Sequence, residues 1–314
     1  MKILIAYDGS SCAAAALDDL RLAGLPSEAT AVILSVADVW VAPSPDGDLL
    51  PQEAGTAMEE RIIAARHQAH EKAMQAVEEA RALAIRACNR VQTDFPGWEV
   101  SAEASADSPA WAVLKKANTW KPDLIVLGSR GRSTFERVML GSVSQKVVTE
   151  AQCPVRVSRA QDKQAGTPVR LVIGVDGSPG ADAAVRTVAH RSWPPNTTAS
   201  IVAVVDPVLA AAVMWRGEHG KKQTADAQER VQAMVEAAVE KLRDAGLTAS
   251  AYLLTGNPKQ ALLEAAERWE ADCIFVGARG LRGIGGFLLG SVSTAVSTRA
   301  HCSVEVVHTD NEGA

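Results

Sequence analysis

The sequence has few cysteines, and none of them forms a recognisable pair. Its five cysteines are scattered, odd in number and absent from any Cys-x-x-Cys motif. This pattern argues against a disulfide framework and a zinc site, and it indicates reduced thiols. The opening residues, MKILIAYDGS, contain too short an apolar run for a signal peptide. We therefore expect a cytoplasmic location.

Long hydrophobic runs and an excess of basic charge are also missing, and aromatic residues are few. No apolar run approaches the ~18 residues that a membrane span needs. Aromatic residues make up 4% of the chain, and the net charge is −5. Without a basic tail or cluster, we expect neither a membrane nor a nucleic-acid partner. The 47% hydrophobic content is mostly Ala, Val and Leu, which favours helices packed on a buried sheet.

The chain contains one sequence pattern twice. KILIAYDGSSCAAAAL at 2–17 aligns with RLVIGVDGSPGADAAV at 170–185, an offset of 168 residues. CPVRV at 153–157 aligns with CSVEV at 302–306, an offset of 149 residues. The first copy therefore carries extra sequence between its second and fourth strands. We predict two domains joined by a polar linker, with copy one at 1–158, the linker at 159–168 and copy two at 169–310.

Within each copy, short apolar runs alternate with helical segments. The strand candidates KILIAY, TAVILSVAD, LVIGV and ASIVAVVD show little polar alternation, as is typical of parallel strands covered on both faces. Long helices are predicted at about 57–92 and 224–245, the second stopping at Gly246. Pro109 and Pro258 open further helices. The expected fold class is α/β: two tandem doubly wound domains, each an open five-stranded, mainly parallel sheet with helices on both faces.

A glycine-spaced loop follows the fourth strand of each copy. The two loops read GSRGRSTFERVMLGSVS and GARGLRGIGGFLLGSVS. Glycines at a strand exit permit close backbone approach, and a helix that begins at the last glycine offers N–H groups to an anion. The loops match neither a GxxxxGK[ST] phosphate loop nor a GxGxxG fingerprint. The alternative interpretation is a tight turn followed by a serine helix cap.

The complete pattern resembles that of the universal stress protein family. Each loop reads Gly-x-x-Gly, nine residues, Gly-Ser, which is similar to that family's ATP-binding signature, and AYDGS, GVDGS and CPV also match. The resemblance covers 1–158 and 169–308. It implies a five-stranded parallel fold of the adenine nucleotide alpha hydrolase-like type. It also implies binding of ATP or another adenine nucleotide, often with a divalent cation such as Mg²⁺.

The resemblance assigns parts of the nucleotide to residues of this sequence. It implies that Asp8 and Asp176 contact the ribose, and that Val36 and Val204 border the adenine through backbone contacts. The residues implied at the phosphates are Gly128, Gly131, Gly141, Ser142, Val143, Ser144, Gly277, Gly280, Gly290, Ser291, Val292 and Ser293. No catalytic or metal-ligating side chain is assigned.

The resemblance also implies a mode of assembly. Family dimers pair through their last strands, so 153–158 and 302–307 are expected to pair within this chain as a pseudo-dimer. A further homodimer and a signalling partner of unknown identity are compatible with the same pattern.

Several residues keep a second interpretation. Asp8 could instead cap the following helix. The loop arginines could neutralise phosphate, although solvated side chains are more common, and they are Arg130, Arg132, Arg279 and Arg282. The extension at 42–56 could be a lid or a partner surface, but a solvent-exposed segment without a specific function is favoured. His67 and His70 could share a helix face, but a solvent-facing pair is favoured because no third metal ligand is evident.

Three functions fit these features. The favoured one is a nucleotide-binding stress regulator or sensor, and the others are a slow ATPase or phosphotransferase and a nucleotide-free interaction module. Catalysis needs a positioned base or water-orienting group and usually a metal site. The sequence shows no Ser/His/Asp set, and the remaining histidines are isolated in sequence: His190, His219, His301 and His308.

Overall fold

The computed structural model describes residues 1–39, 57–131, 140–161, 163, 166–205, 218–280 and 289–309. Within it, the side chains of 57–60 and 218–228 are left out of the description. The predicted extension at 42–56 and the loop arginines Arg132 and Arg282 lie outside the described residues.

Copy one contains five strands and four α-helices among its described residues, and a 3-10 turn at Leu20–Leu22 follows the first helix. The strands are β1 Lys2–Ala6, β2 Thr30–Ala37, β3 Glu99–Ala106, β4 Leu124–Gly128 and β5 Val155–Ser158. The helices are α1 Ser11–Asp19, α2 Ala57–Asp94, α3 Pro109–Trp120 and α4 Ser142–Glu150.

Copy two repeats this order in its described residues. The strands are β6 Arg170–Val175, β7 Thr198–Val205, β8 Thr248–Thr255, β9 Cys273–Gly277 and β10 Ser303–Val307. The helices are α5 Pro179–Ala189, α6 Glu218–Asp244, α7 Pro258–Arg268 and α8 Ser291–Arg299.

All ten strands form one sheet in the order β3-β2-β1-β4-β5-β10-β9-β6-β7-β8. Neighbouring strands within each copy are parallel. The junction between the copies is antiparallel, because β5 pairs with β10 through Val157 and Val304, Arg156 and Glu305, and Val155 and Val306. The predicted fold class, two tandem doubly wound α/β units, is confirmed. The last strands pair as the resemblance implied.

The local sequence explains where the elements begin and end. Pro109 and Pro258 each occupy the first turn of a helix, where a missing N–H costs nothing. Helix α6 ends in a Schellman motif: the N–H of Leu247 bonds the carbonyl of Leu242 at 3.0 Å, and Gly246 adopts a φ of +84°. The predicted stop at Gly246 is therefore confirmed.

The core has a shared face and a separate face for each copy. One apolar cluster runs under α3, α4, α7 and α8 and joins the two copies, and its members include Leu4, Val113, Val147, Val157, Leu262, Val296 and Val304. On the opposite face, each copy has its own cluster beneath its first two helices. Central strands such as β4 are buried at every residue, as expected for parallel strands covered on both faces.

Candidate functional site

The site begins at the carboxyl end of the first strand of each copy. In an open parallel sheet, ligands bind where neighbouring strands connect in opposite directions. Here β1 continues to β2 on one side and has β4 on the other, and copy two repeats this with β6, β7 and β9. The residues that follow β1 and β4 therefore meet at one edge, and so do those that follow β6 and β9.

Asp8 and Asp176 lie at this edge, each at the turn after the first strand. An oxygen of Asp8 accepts the N–H of Ser10 at 2.9 Å, and Asp176 accepts that of Ser178 at 3.0 Å. The helix caps are the serines, because their hydroxyl oxygens accept the N–H three residues on at 3.1 and 3.2 Å. The interpretation of Asp8 as the helix cap is therefore wrong, and its carboxylate faces the loop instead.

The second glycine of each loop lies against this aspartate. A Cβ added to Gly131 would lie 2.9 Å from Oδ2 of Asp8, and one added to Gly280 would lie 2.5 Å from Oδ2 of Asp176. Ser10 also donates its hydroxyl to the carbonyl of Arg130 at 3.4 Å, which ties the turn to the loop. The structure thus brings the predicted ribose and phosphate residues together, and a side chain in place of either glycine would press on the aspartate.

The first glycine of each loop has a packing contact. A Cβ on Gly128 would lie 2.6 Å from the carbonyl carbon of Cys12, and one on Gly277 would lie 2.4 Å from that of Gly180. Only glycine lets the strand cross the backbone of α1 or α5 so closely. This contact differs from the phosphate contact that the resemblance implied for Gly128 and Gly277.

The last glycine begins a helix that has no side-chain cap. Gly141 is the N-cap of α4 and Gly290 is that of α8, and neither helix start has a side-chain hydrogen bond. The N–H of each glycine closes the loop by donating to the carbonyl of Ser129 or Ala278, both at 2.8 Å. The next N–H groups point out of the helix start without an intrahelical acceptor. By contrast, α1 and α5 are capped by their own serines. Of the helices that begin beside Asp8 and Asp176, α4 and α8 are therefore the ones suited to an anion.

The serines of Gly-Ser-Val-Ser have different environments. Ser144 and Ser293 are buried, and their hydroxyls donate to the carbonyls of Gly128 at 2.8 Å and Gly277 at 2.6 Å. Their hydroxyl protons therefore hold the helix to the strand, and their backbone N–H groups remain for a ligand. Ser142 and Ser291 are exposed at the helix start. Between them and the buried serines, Val143 and Val292 pack partly against the shared core.

Val36 and Val204 lie near the end of the second strand. The carbonyl of Ala37, the residue after Val36, points toward β3, because it accepts a hydrogen bond from the N–H of Asp107 at 3.2 Å. Carbonyls alternate sides along a strand, so the Val36 carbonyl faces the β1 side, beyond the point where β1 ends. In copy two the carbonyl of Val205 accepts from Gly256 at 3.0 Å, which gives Val204 the same orientation past β6. Both backbone groups border the candidate site.

His308 lies beside the copy two loop, and sequence reasoning treated it as isolated. It lines a cavity of about 190 Å³ formed by 178–180, 278–280 and 307–309. The pKa of His308 is lowered to about 4, mainly by burial and to a lesser extent by Arg279, while a hydrogen bond with the backbone of Val148 acts in the opposite direction. Within the described residues, its Nε2 has no hydrogen-bond partner. Its place directly after β10, the neighbour of β9, is the signal that could have found it.

Other features of the described residues lie outside this edge. A cavity of about 490 Å³ between α5 and α6 shares Gly177 and Ser178 with the turn, but none of the described residues of the glycine loop lines it. Over the same residues, no three His, Cys, Asp or Glu side chains are grouped to hold a metal, and this includes the surroundings of His67 and His70. None of the helices in the described ranges is long and apolar enough to cross a membrane.

The fold and the duplicated edge define a tandem α/β protein of the kind that binds ligands at the carboxyl ends of parallel strands. The model of the universal stress protein family matches residues 1–159 and 169–308. The chain belongs to the universal stress protein family.

Relatives in sequence and structure agree with this membership. A universal stress protein of Mycobacterium tuberculosis (strain ATCC 25618 / H37Rv) is 31% identical over 201 residues, which is 59% of this chain and 61% of that protein. A universal stress protein of Synechocystis is 32% identical over 90 residues, 29% of this chain and 56% of that protein. The chain thus spans about three-fifths of the length of the mycobacterial relative.

Solved structures show the same fold over the whole chain. The crystal structure of a universal stress protein from Archaeoglobus fulgidus superposes with a TM-score of 0.59 at 22% identity, covering 98% of both chains. A protein of unknown function from Pseudomonas aeruginosa superposes with a TM-score of 0.57 at 13% identity, covering 99% of this chain and 93% of that one.

Proposed function

We propose that each copy binds one adenine nucleotide, with ATP as the favoured ligand, and that the chain acts as a stress-response regulator or sensor. The observation that carries the proposal is the uncapped start of α4 and α8 beside an aspartate, with glycine between them. Membership of the universal stress protein family supports the stress-response role.

The order of groups along the edge matches the order of parts in a nucleotide. The strands are ordered β2, β1, β4 across the sheet. The Val36 backbone, the Asp8 carboxylate and the helix start at Gly141 therefore follow one another along the sheet edge. A backbone N–H or carbonyl can pair with the adenine edge, and a carboxylate accepts hydrogen bonds from ribose hydroxyls. The phosphates, which Asp8 would repel, are favoured at the positive end of the α4 dipole.

Copy two offers the same series of groups. Val204, Asp176 and Gly290 occupy the equivalent positions on β7, β6 and α8. Arg279 lines the cavity beside the copy two loop, and Arg130 has the equivalent loop position in copy one, where its carbonyl accepts the Ser10 hydroxyl. Each loop thus carries a cation that could neutralise phosphate charge. A bound Mg²⁺ would neutralise phosphate charge, and the phosphate oxygens together with water would supply its ligands, since it takes few protein ligands beside a nucleotide.

The alternative functions predict different measurements. A slow ATPase or phosphotransferase needs a group that positions the attacking water or hydroxyl, and Asp8 has a ribose contact as its proposed role. Sustained phosphate release above a buffer control, lost in loop variants, would favour that alternative. A nucleotide-free interaction module predicts no ATP binding by either copy.

The proposal is tested by calorimetric titration of ATP with Mg²⁺ into loop variants. Gly141→Val would press on the backbone of Arg130, whose Cα lies 3.3 Å from an added Cβ, and Gly290→Val would press on the carbonyl of Ala278 at 3.1 Å. Each variant is expected to remove one binding site and leave the other copy as an internal control. Two sites of unchanged affinity in both variants would place the nucleotide elsewhere.

A further inference from the structure

The junction between the copies has a pseudo-twofold axis at its most buried residues. Arg156 on β5 lies opposite Glu305 on β10. The two residues are equivalent positions of the duplicated sequence, since they are separated by the same 149-residue offset as the CPVRV and CSVEV segments. A position that would meet its own copy in a symmetric dimer therefore carries opposite charges in this chain.

These two residues belong to a buried row of four charges. The guanidinium of Arg156 donates to Asp19 at 2.6 and 3.0 Å and lies 3.5 Å from Oε2 of Glu305. Glu305 in turn pairs with Arg191 through both of its oxygens, at 2.8 Å for Oε2. Arg156 and Glu305 have no solvent exposure, and Asp19 is 2% exposed. From Asp19 to Arg191 the charges alternate and sum to zero.

Pairing of like copies would break this alternation. Two copies of β5 in the same register would place Arg156 against Arg156, and two copies of β10 would place Glu305 against Glu305. Neither pair would have water to screen it, and like charges in contact at a desolvated interface oppose association strongly. The hydroxyl of Ser303 in copy two donates to Asp19 of copy one at 3.0 Å. A pair of two first copies would lose this hydrogen bond, because the residue equivalent to Ser303 in copy one is Pro154.

A second contact near the axis is also matched to unlike copies. Gly24 adopts a φ of +61° and lies under the indole of Trp193, so that an added Cβ would be 2.8 Å from the ring. The backbone carbonyl of its N-terminal neighbour, Ala23, accepts a hydrogen bond from the guanidinium of Arg191 at 2.8 Å. The equivalent of Gly24 in copy two is Ser192, at the offset of 168 residues. A pair of two second copies would therefore press the Ser192 side chain into the indole.

We propose that this junction is a pairing surface that accepts the opposite copy and rejects its own. Copy one fits a partner surface that carries Glu305, Ser303, Arg191 and Trp193. Copy two fits a partner surface that carries Asp19, Gly24 and Arg156. Two chains can associate through it only by exchange, with copy one of one chain against copy two of another. The surface thus fixes the intramolecular pair, and the inference does not depend on nucleotide binding.

The first test uses two full-length variants that break the pair from opposite sides. Glu305→Arg places a second cation against Arg156, and Arg156→Glu places a second anion against Glu305. In each variant alone, the pairing of copy one with copy two through β5 and β10 is expected to be lost. When the two chains are refolded together, copy one of the Glu305→Arg chain and copy two of the Arg156→Glu chain still carry the native surfaces. A one-to-one heterodimer is therefore expected by native mass spectrometry.

Exposed charge reversals, Lys115→Glu and Glu240→Arg, serve as matched controls and should keep the wild-type assembly and docked copies, alone and mixed. Docking of either interface variant as in the wild type would overturn the proposal, and so would a mixture without heterodimer.

A second measurement covers the case in which the interface variants do not fold. A protease site is placed in the linker at 164–165 of the wild-type chain, and isotopically light and heavy proteins are cleaved after folding and mixed. The proposal expects every pair to join a copy one fragment to a copy two fragment, whatever the isotope. Like-copy pairs near the random share of one half of all pairs, or fragments that stay unpaired, would contradict it.

Discussion

The first and second glycines of each loop should respond differently to the same substitution. In Gly128→Ala, the added Cβ would lie 2.6 Å from the Cys12 carbonyl carbon and 2.9 Å from the Ala13 nitrogen. Ordinary carbon contacts begin near 3.5 Å, so α1 has to move by roughly 1 Å away from β4. Overpacking of this kind costs about 1–3 kcal/mol of the free energy of unfolding.

Gly131→Ala is the matched variant. Its Cβ would contact one side-chain oxygen, Oδ2 of Asp8 at 2.9 Å, and Gly131 does not have a positive φ. Because a carboxylate can rotate away, the loss of stability is expected to stay below about 1 kcal/mol. The same rotation moves the proposed ribose contact, and a displacement of about 1 Å can weaken a positioned interaction by up to about 100-fold.

The assay compares urea unfolding and ATP titration for both variants. Gly128→Ala is expected to lower the unfolding midpoint clearly, while Gly131→Ala keeps the midpoint and loses ATP affinity in copy one. The reasoning would be refuted if Gly128→Ala unfolds like the wild type, or if Gly131→Ala binds ATP at both sites with unchanged affinity.

Three further predictions concern other contacts. The folded pKa of His308 is about 4, below that of the unfolded chain, so protonation of His308 favours unfolding. The free energy of unfolding should therefore fall by about 2 kcal/mol between pH 7 and pH 5. His308→Gln should remove this loss in pH-dependent urea melts. Loss of the helix cap in Ser10→Ala should cost about 1 kcal/mol in chemical unfolding, with no loss expected for exposed Ser142→Ala. Arg156→Met leaves two carboxylates buried without their shared cation and should cost about 3–5 kcal/mol, whereas exposed Arg81→Met should change the unfolding free energy by less than about 0.5 kcal/mol.

The fold could be predicted from the sequence because its signals are local or repeated. Apolar runs in KILIAY and DLIVLG mark buried parallel strands, and Pro109 and Gly246 mark a helix start and a helix stop. The boundaries were less accurate: α6 begins at Glu218 rather than at about 224, because the polar residues before 224 have no apolar periodicity. The doubled pattern supplied the two-unit organisation.

The contacts within the site were harder to predict. The sequence placed glycines in the loop, but it could not show that Gly128 packs on α1 while Gly131 faces Asp8. It likewise allowed Asp8 to cap the helix, whereas the cap in the structure is Ser10; both residue types are common caps. These distinctions depend on which distant segments meet, and a single sequence gives no direct signal for them. The pairing of Arg156 with Glu305 across the junction is of the same kind.

The measurement that most directly tests the central claim is the number of ATP molecules bound per wild-type chain. Native mass spectrometry of the full-length protein with Mg²⁺, over a range of ATP concentrations up to millimolar, gives this number without assuming equal affinities. The proposed sites predict saturation at two nucleotides per chain, which falls to one in Gly141→Val and to one in Gly290→Val. A chain that stays free of nucleotide throughout the range would contradict the claim.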